Sequence, residues 1–149
     1  MGIQKGIIKV LANNGNWTPG PVLGPNDQLT LNLADGPQAV WSVIAGKWGN
    51  AWGDIGYPGG GQYAAPGLPQ GALIISDGSR RKQSWPAPPQ GFVTLSKIRG
   101  PVSFIANDEP PHDGFPGYLD NEGWLNIGYQ WASDDFQDSE KDYVDPTPA

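Results

Sequence analysis

The sequence predicts an all-β protein: a small antiparallel β-sandwich, jelly-roll-like, with two curved sheets and long Gly/Pro-rich loops. Three observations predict it. The 149 residues include 22 Gly and 16 Pro, spread throughout, which leaves helices of ordinary length nowhere to sit. Between these breakers stand short alternating or β-branched runs. Each run is closed by a turn signal such as Asn-Gly, Asp-Gly or Gly-Pro.

Ile7 to Leu11 is the first run, closed by Asn13-Asn14-Gly15-Asn16. Gln28 to Leu33 is the cleanest, with Leu29, Leu31 and Leu33 on one face and polar residues on the other. Ala39 to Ile44, Ala72 to Ser76, Phe92 to Ile98 and Val102 to Ala106 follow. In the last run, Leu125, Ile127, Tyr129 and Trp131 alternate with Asn126, Gly128 and Gln130. Seven or eight short strands of this kind make a sandwich with wet outer faces. Trp17, Trp41, Trp85, Trp124 and Trp131 lie in or beside these runs and are expected to pack inside or between the sheets. A single domain over residues 1–131 and an acidic tail over 132–149 account for the chain.

Composition excludes several classes of function. There is no Cys, hence no disulfide framework, zinc–thiolate site or cysteine nucleophile. The net charge is −6, and residues 132–149 carry most of it: six acids against Lys141, a net −5. The other residues are near neutral, and Arg80-Arg81-Lys82 is too short a run, in a turn-like stretch, to predict nucleic-acid binding. Met1 to Ile8 lacks the apolar stretch of a secretory signal, and no apolar run is long enough to span a membrane. These features predict a soluble chain without membrane insertion, cytoplasmic as synthesised, with any export by a non-classical route.

The most informative stretch is Asn107 to Gly123. It holds five carboxylates, two Asn amides, three Pro, three Gly and no Lys or Arg. Such a segment is a loop, and uncompensated carboxylate and amide oxygens are the donors that Ca2+ prefers. Asp108 follows one expected strand, and Asp120 and Asn121 precede the next. If those strands pair as neighbours, the three side chains converge, and backbone carbonyls fill further positions. The spacing is not that of an EF-hand. The alternative is that Asp and Asn before Gly simply form turns. A calcium held by so few protein groups would offer its open positions to water or to paired sugar hydroxyls.

A second long loop, Gly46 to Gly71, places Trp48, Trp52, Tyr57 and Tyr63 in Gly-rich backbone. At least one of the two Trp is expected to pack inward. Tyr57 and Tyr63 suit a binding rim, with Asn50, Asp54 and Gln62 as hydrogen-bonding partners.

Val10-Leu11-Ala12-Asn13-Asn14, Lys47-Trp48-Gly49, Gly71-Ala72-Leu73, Asn107-Asp108 and Asp120-Asn121-Glu122-Gly123 together resemble the PA-IL-type (LecA-like) galactose-binding bacterial lectins over about residues 7–129. The resemblance implies a jelly-roll-like sandwich with one calcium per chain that contacts the sugar directly. Carried over by position, it implies Asp108, Asp120 and Asn121 as side-chain ligands. It implies backbone carbonyls near Trp41 or Ser42 and near Gly117 as the rest of the shell. Sugar contacts would come from Tyr57, Pro58, Gln62, Asp108, Glu109, Asp120 and Asn121. Tyr57 stands where the family has a pocket histidine, Glu109 stands where the family is apolar, and the acidic loop is longer. A homo-oligomer, tetramer or dimer, is also implied, with galactose-type glycans as partners.

The expected function is therefore a calcium-dependent lectin rather than an enzyme. A non-catalytic sandwich module with a structural calcium, or none, is the alternative. A glycoside hydrolase would need a carboxylic acid with a raised pKa and a partner carboxylate across the scissile bond. Acids clustered in a polar loop favour ionised ligands instead. His112, the single His, has no nucleophile turn beside it.

Overall fold

In a computed structural model that describes residues 2–44 and 46–136, the chain forms two four-stranded antiparallel sheets packed as a sandwich. In chain order the strands are β1 (Gly2–Leu11), β2 (Thr18–Leu23), β3 (Gln28–Leu33), β4 (Val40–Ile44), β5 (Lys47–Asn50), β6 (Asp54–Pro58), β7 (Pro69–Gln70), β8 (Leu73–Ser76), β9 (Lys82–Ser84), β10 (Phe92–Ser96), β11 (Gly100–Ala106) and β12 (Trp124–Ser133). One sheet has the order β1-β12-β3-β10 and the other β2-β11-β8-β9. Two small ribbons, β4–β5 and β6–β7, stand beside them: β4 lies in the expected run Ala39–Ile44, whereas β5, β6 and β7 occupy the Gly-rich segment that had been expected to be loop. Among the described residues no helix is long and apolar enough to cross a membrane.

Alternation sets the register. Leu29, Leu31 and Leu33 of β3 face inward, as do Val93 and Leu95 of β10 and Leu125 and Ile127 of β12. Phe104 and Val102 of β11 are fully buried, and β8 is buried at Leu73, Ile74 and Ile75 in succession, so both of its faces are covered. The outer face of β1 is different: Ile3, Ile7 and Leu11 are exposed.

β2, which carries Pro19 and Pro21, was not among the expected runs. It survives because it is an edge strand, where Pro costs no ladder bond on its solvent side. Its Gly20 is required by close approach: a Cβ there would meet the Phe104 ring at 2.8 Å.

Two packing expectations fail, and one strand runs further than expected. Trp41 and Trp85 are buried, but Trp124 is 49% exposed, with Lys9 stacked 4.5 Å from its ring centre. Its position on β12 faces outward, opposite to Leu125. Neither Trp48 nor Trp52 is fully buried: Trp48 is 52% exposed and Trp52 half-buried. Finally, β12 runs to Ser133, two residues into the stretch assigned to the acidic tail, and Phe136 packs edge-on against Trp131. The rest of that tail, from residue 137 with Tyr143 and Val144, lies outside the described residues.

The sandwich has two unlike ends. β11 runs from Gly100 to Ala106 and β12 runs back from Trp124 to Ser133. The acidic loop between them closes one end. The β2–β3, β8–β9 and β10–β11 turns and the end of β12 share the other.

Candidate functional site

β11 and β12 do not pair; they belong to different sheets. The expectation that neighbouring strands bring the loop ends together is thus wrong in its route. The ends meet because the loop bridges the two sheets and folds back on buried polar posts.

Tyr118 is the first post. It lies in the 3-10 turn Gly117–Asp120, is only 5% exposed, and its hydroxyl donates to the carbonyls of Ala106 (2.8 Å) and Asp108 (3.0 Å). Burial raises its pKa to about 12, so it stays a donor. Asn121 is the second post. Its Nδ2 donates to Ala12 O at 2.8 Å and to Asp108 Oδ2 at 2.9 Å. Ala12 N–H in turn donates to Gly123 O, and Ser42 and Glu122 exchange a pair of backbone bonds at 2.8 and 2.9 Å. These straps fix the start of β12 to β1 and β4. Gly117 has φ +54°, and a Cβ there would collide with the Glu109 carbonyl, so only Gly lets the loop close on itself.

Asp108 and Asn121 are both buried, at 6% and 4% exposure, and in direct contact, whereas Asp120 is exposed. Asp108 Oδ1 accepts from the Glu109 N–H at 2.8 Å. Burial pushes the Asp108 carboxyl above the ordinary carboxylate value. The Asn121 and Glu109 hydrogen bonds oppose that rise, and the charges of Glu109 and Asp120 add to it. The Asn121 amide holds the most telling atom. Its two Nδ2 bonds fix which way the amide points, and its Oδ1 is buried with no hydrogen-bond partner. An orphaned buried acceptor costs about 1–3 kcal/mol, and it sits in the side chain that touches Asp108.

The cleft beside this pair has a volume of about 180 Å³ and is lined by Val43, Ile44, Tyr63, Gln70, Asn107, Asp108, Glu109, Phe115, Gly117 and Asp120, among others. It brings together the expected Asp108, Glu109, Asp120 and Gly117. It does not include Asn121, which is buried behind Asp108, nor Tyr57, Pro58 or Gln62: Tyr57 and Pro58 are exposed on β6, and Gln62 is exposed in the following turn. Trp41 and Ser42 are buried on β4 beside the loop's end. The Ser42 carbonyl already accepts from Glu122, and it is the next residues, Val43 and Ile44, that line the cleft. A neighbouring cleft of about 220 Å³ shares Val43, Ile44 and Gln70 and adds Trp41 and the Lys47–Asp54 ion pair, 3.1 Å long.

Tyr63 and Gln70 take the places on the wall that Tyr57 and Gln62 were expected to hold. Asn107 puts them there. It is fully buried; its Oδ1 accepts from Ala65 N–H, and its Nδ2 reaches the carbonyls of Ala65, Leu68 and Pro69 at 2.9–3.1 Å. The Ala64 N–H donates to Asp108 O. One Asn thus clamps the far loop against the end of β11. Tyr63 shares the cleft with Asp108 and Glu109, and burial together with the charges of these two acids raises its pKa. Sequence singled out Tyr63 as an aromatic of the rim, but a buried Asn or Tyr in a loop has no periodic signature, so Asn107 and Tyr118 carried no signal of their roles.

His112 and Glu109 form a 2.5 Å contact on the outer side of the loop, and His112 and Phe115 exchange backbone bonds across Asp113 and Gly114. The hydrogen bond to Glu109, helped by Asp113, raises the His112 pKa. Glu109 is therefore shared between the cleft and this hairpin.

Among the described residues, no three His, Cys, Asp or Glu side chains converge closely enough to hold a metal by themselves. A cation here would draw on mixed oxygens: the Asp108 and Asp120 carboxylates, Asn121 Oδ1 and loop carbonyls. The orphaned Oδ1 and the carboxylate strained by burial fit that donor set, and all of it is oxygen, which suits calcium rather than zinc. No protein-family model matches the sequence, and no curated protein matches it either.

Proposed function

We propose that the protein is a calcium-dependent carbohydrate-binding module whose metal is held by Asp108, Asp120 and Asn121 and whose ligand is a galactose-type glycan. The observation that carries the metal half is the buried Asn121 Oδ1, oriented by its own amide and lacking any partner, in contact with the buried Asp108. A hard cation would satisfy both groups at once. When bound, it would supply open coordination positions for vicinal hydroxyls.

The protein's residues would do the rest. Asp108 is held in place by the Asn121 amide and the Glu109 N–H, and Asp120 approaches from the 3-10 turn. Tyr63 offers an aromatic face and Gln70 an amide on the opposite wall. Sugar rings carry an apolar C–H face that suits such a platform. The galactose half rests on the resemblance to PA-IL-type lectins and on this wall.

The raised pKa of Asp108 also suits a glycosidase acid, but both its oxygens accept hydrogen bonds, whereas a general acid must donate one. The second reading is a sandwich whose calcium only stiffens the loop. It is favoured by one observation: the expected sugar contacts Tyr57, Pro58 and Gln62 lie off the cleft.

The test is retention on immobilised galactose with calcium, with and without chelator, followed by a glycan array. Calcium-dependent retention competed by free galactose supports the lectin. A calcium-induced rise in thermal stability with no sugar bound on the array leaves the second reading standing.

A further inference from the structure

The end of the sandwich opposite the acidic loop carries a charge pattern that the proposed sugar site does not use. The β8–β9 turn and the β10–β11 turn touch there, backbone to backbone: a Cβ on Gly78 would meet the Arg99 carbonyl at 2.6 Å. The contact gathers Arg80, Arg81, Lys97 and Arg99, all exposed. Four of the nine Lys and Arg residues of an acidic protein thus stand on one small surface. Arg80 and Lys97 sit at φ +70° and +58°, so the tight turns hold them at the tips. Among the described residues, the acid there that pairs with any of them is Asp77, 3.8 Å from Arg81, and its Oδ1 is already taken up by the Ser79 and Arg81 N–H groups and the Ser79 hydroxyl. Asp27, also at this end, is buried and engaged by Gly24 and Trp131.

The chain leaves the sandwich at the same end. Ser96 pairs with Gln28, and Gln28 pairs with Ala132, so Lys97 stands two strand spacings, about 10 Å, from the end of β12. Phe136 is pinned on Trp131 just beyond. The residues after it include Asp138, Glu140, Asp142 and Asp145 against Lys141. Nine residues from Phe136 to Asp145 can reach about 30 Å. The basic surface is well within that span. The other end, with five carboxylates, repels the same segment.

We infer that the surface formed by Arg80, Arg81, Lys97 and Arg99 is the docking site for the acidic segment 137–149 of the same chain. Tethering gives the segment a high local concentration, so several weak, screened ion pairs act together. The contact covers the basic end and leaves a chain whose exposed charge is concentrated on the opposite, acidic loop. The inference is independent of the sugar-binding reading, because no residue is shared between the two sites.

The test uses the full chain with its four tail acids neutralised: Asp138→Asn, Glu140→Gln, Asp142→Asn and Asp145→Asn. These positions lie beyond β12. Backbone amide resonances of Arg80, Arg81, Lys97 and Arg99 should move on neutralisation, and high salt should move them the same way in the unaltered chain. In a Lys97→Ala, Arg99→Ala background, tail neutralisation should leave Arg80 and Arg81 nearly unmoved. Unchanged resonances at the basic turns overturn the inference. Shifts that grow with protein concentration also overturn it, since they assign the contact to a second copy.

Discussion

Asp27 and Asp108 are equally hidden from solvent, each 6% exposed, at opposite ends of one sandwich, yet their carboxyls are pushed in opposite directions. Burial alone would raise both. At Asp27 hydrogen bonds from the Gly24 N–H, the Trp131 indole and the Ser133 hydroxyl outweigh burial, and its pKa falls. At Asp108 burial outweighs two donors, two neighbouring acids, Glu109 and Asp120, add to it, and its pKa rises. The first carboxylate is complete without any partner from outside. The second is left short of positive charge, beside an amide oxygen with no partner. Equal solvent exposure thus does not make two acids alike: Asp108 is set deeper in the protein, and the company each keeps differs.

The sharpest way to break the comparison is at Asp27. Asp27→Ala would leave the Trp131 and Gly24 donors unpaired, costing about 3 kcal/mol and roughly 10 °C of thermal stability. The calcium response should be unchanged. Because its pKa is depressed, the stability Asp27 contributes is present above the ordinary value of 3.8 and is lost as pH falls through its lower folded value. Acid unfolding of the Asp27→Asn variant should therefore be less steep below that point than that of the unaltered protein.

Asn107→Ala comes next. It removes the bonds that clamp residues 65–69. About 2 kcal/mol should go, and sugar affinity should fall further than calcium affinity, since Tyr63 and Gln70 lose their anchor. Equal losses in both titrations would show that this wall does not contact ligand.

Asp108→Asn should behave unlike Asp27→Ala. In chelator its stability near neutral pH should stay within about 1 kcal/mol of the unaltered protein, because a buried charge is removed while the amide carbonyl keeps one of the two hydrogen-bond donors and the NH2 faces the other. With calcium present it should be the less stable of the two. Asp120→Ala, at an exposed position, should change chelated stability by less than about 0.5 kcal/mol. It should nonetheless abolish calcium-dependent sugar retention.

The same contrast shows what the sequence could tell. Leu29-x-Leu31-x-Leu33 and Leu125-x-Ile127 announce their strands because one face is buried and period two follows from the pleat. β2 hides behind Pro-Gly-Pro because its strand character comes from an edge position. β4 was legible as the run Ala39–Ile44, but its partner β5 and the pair β6–β7 are short and irregular, with bulged registers that erase alternation. At the candidate site, Asp108 and Asn121 were legible as oxygen donors flanking strands. Their convergence was expected from pairing of the flanking strands, but its route was not legible, because it depends on Tyr118 and Asn121 tying a loop across two sheets. Tyr63 and Gln70 rather than Tyr57 and Gln62 line the wall because Asn107, forty residues away, sets how that loop folds.

The central claim is that Asp108, Asp120 and Asn121 form a cation site. Calorimetric titration of chelator-stripped protein with calcium tests it most directly. One calcium per chain should bind to the unaltered protein, with binding absent in Asp108→Asn and Asp120→Ala. No binding heat with the unaltered chain, or binding retained in both variants, would contradict it.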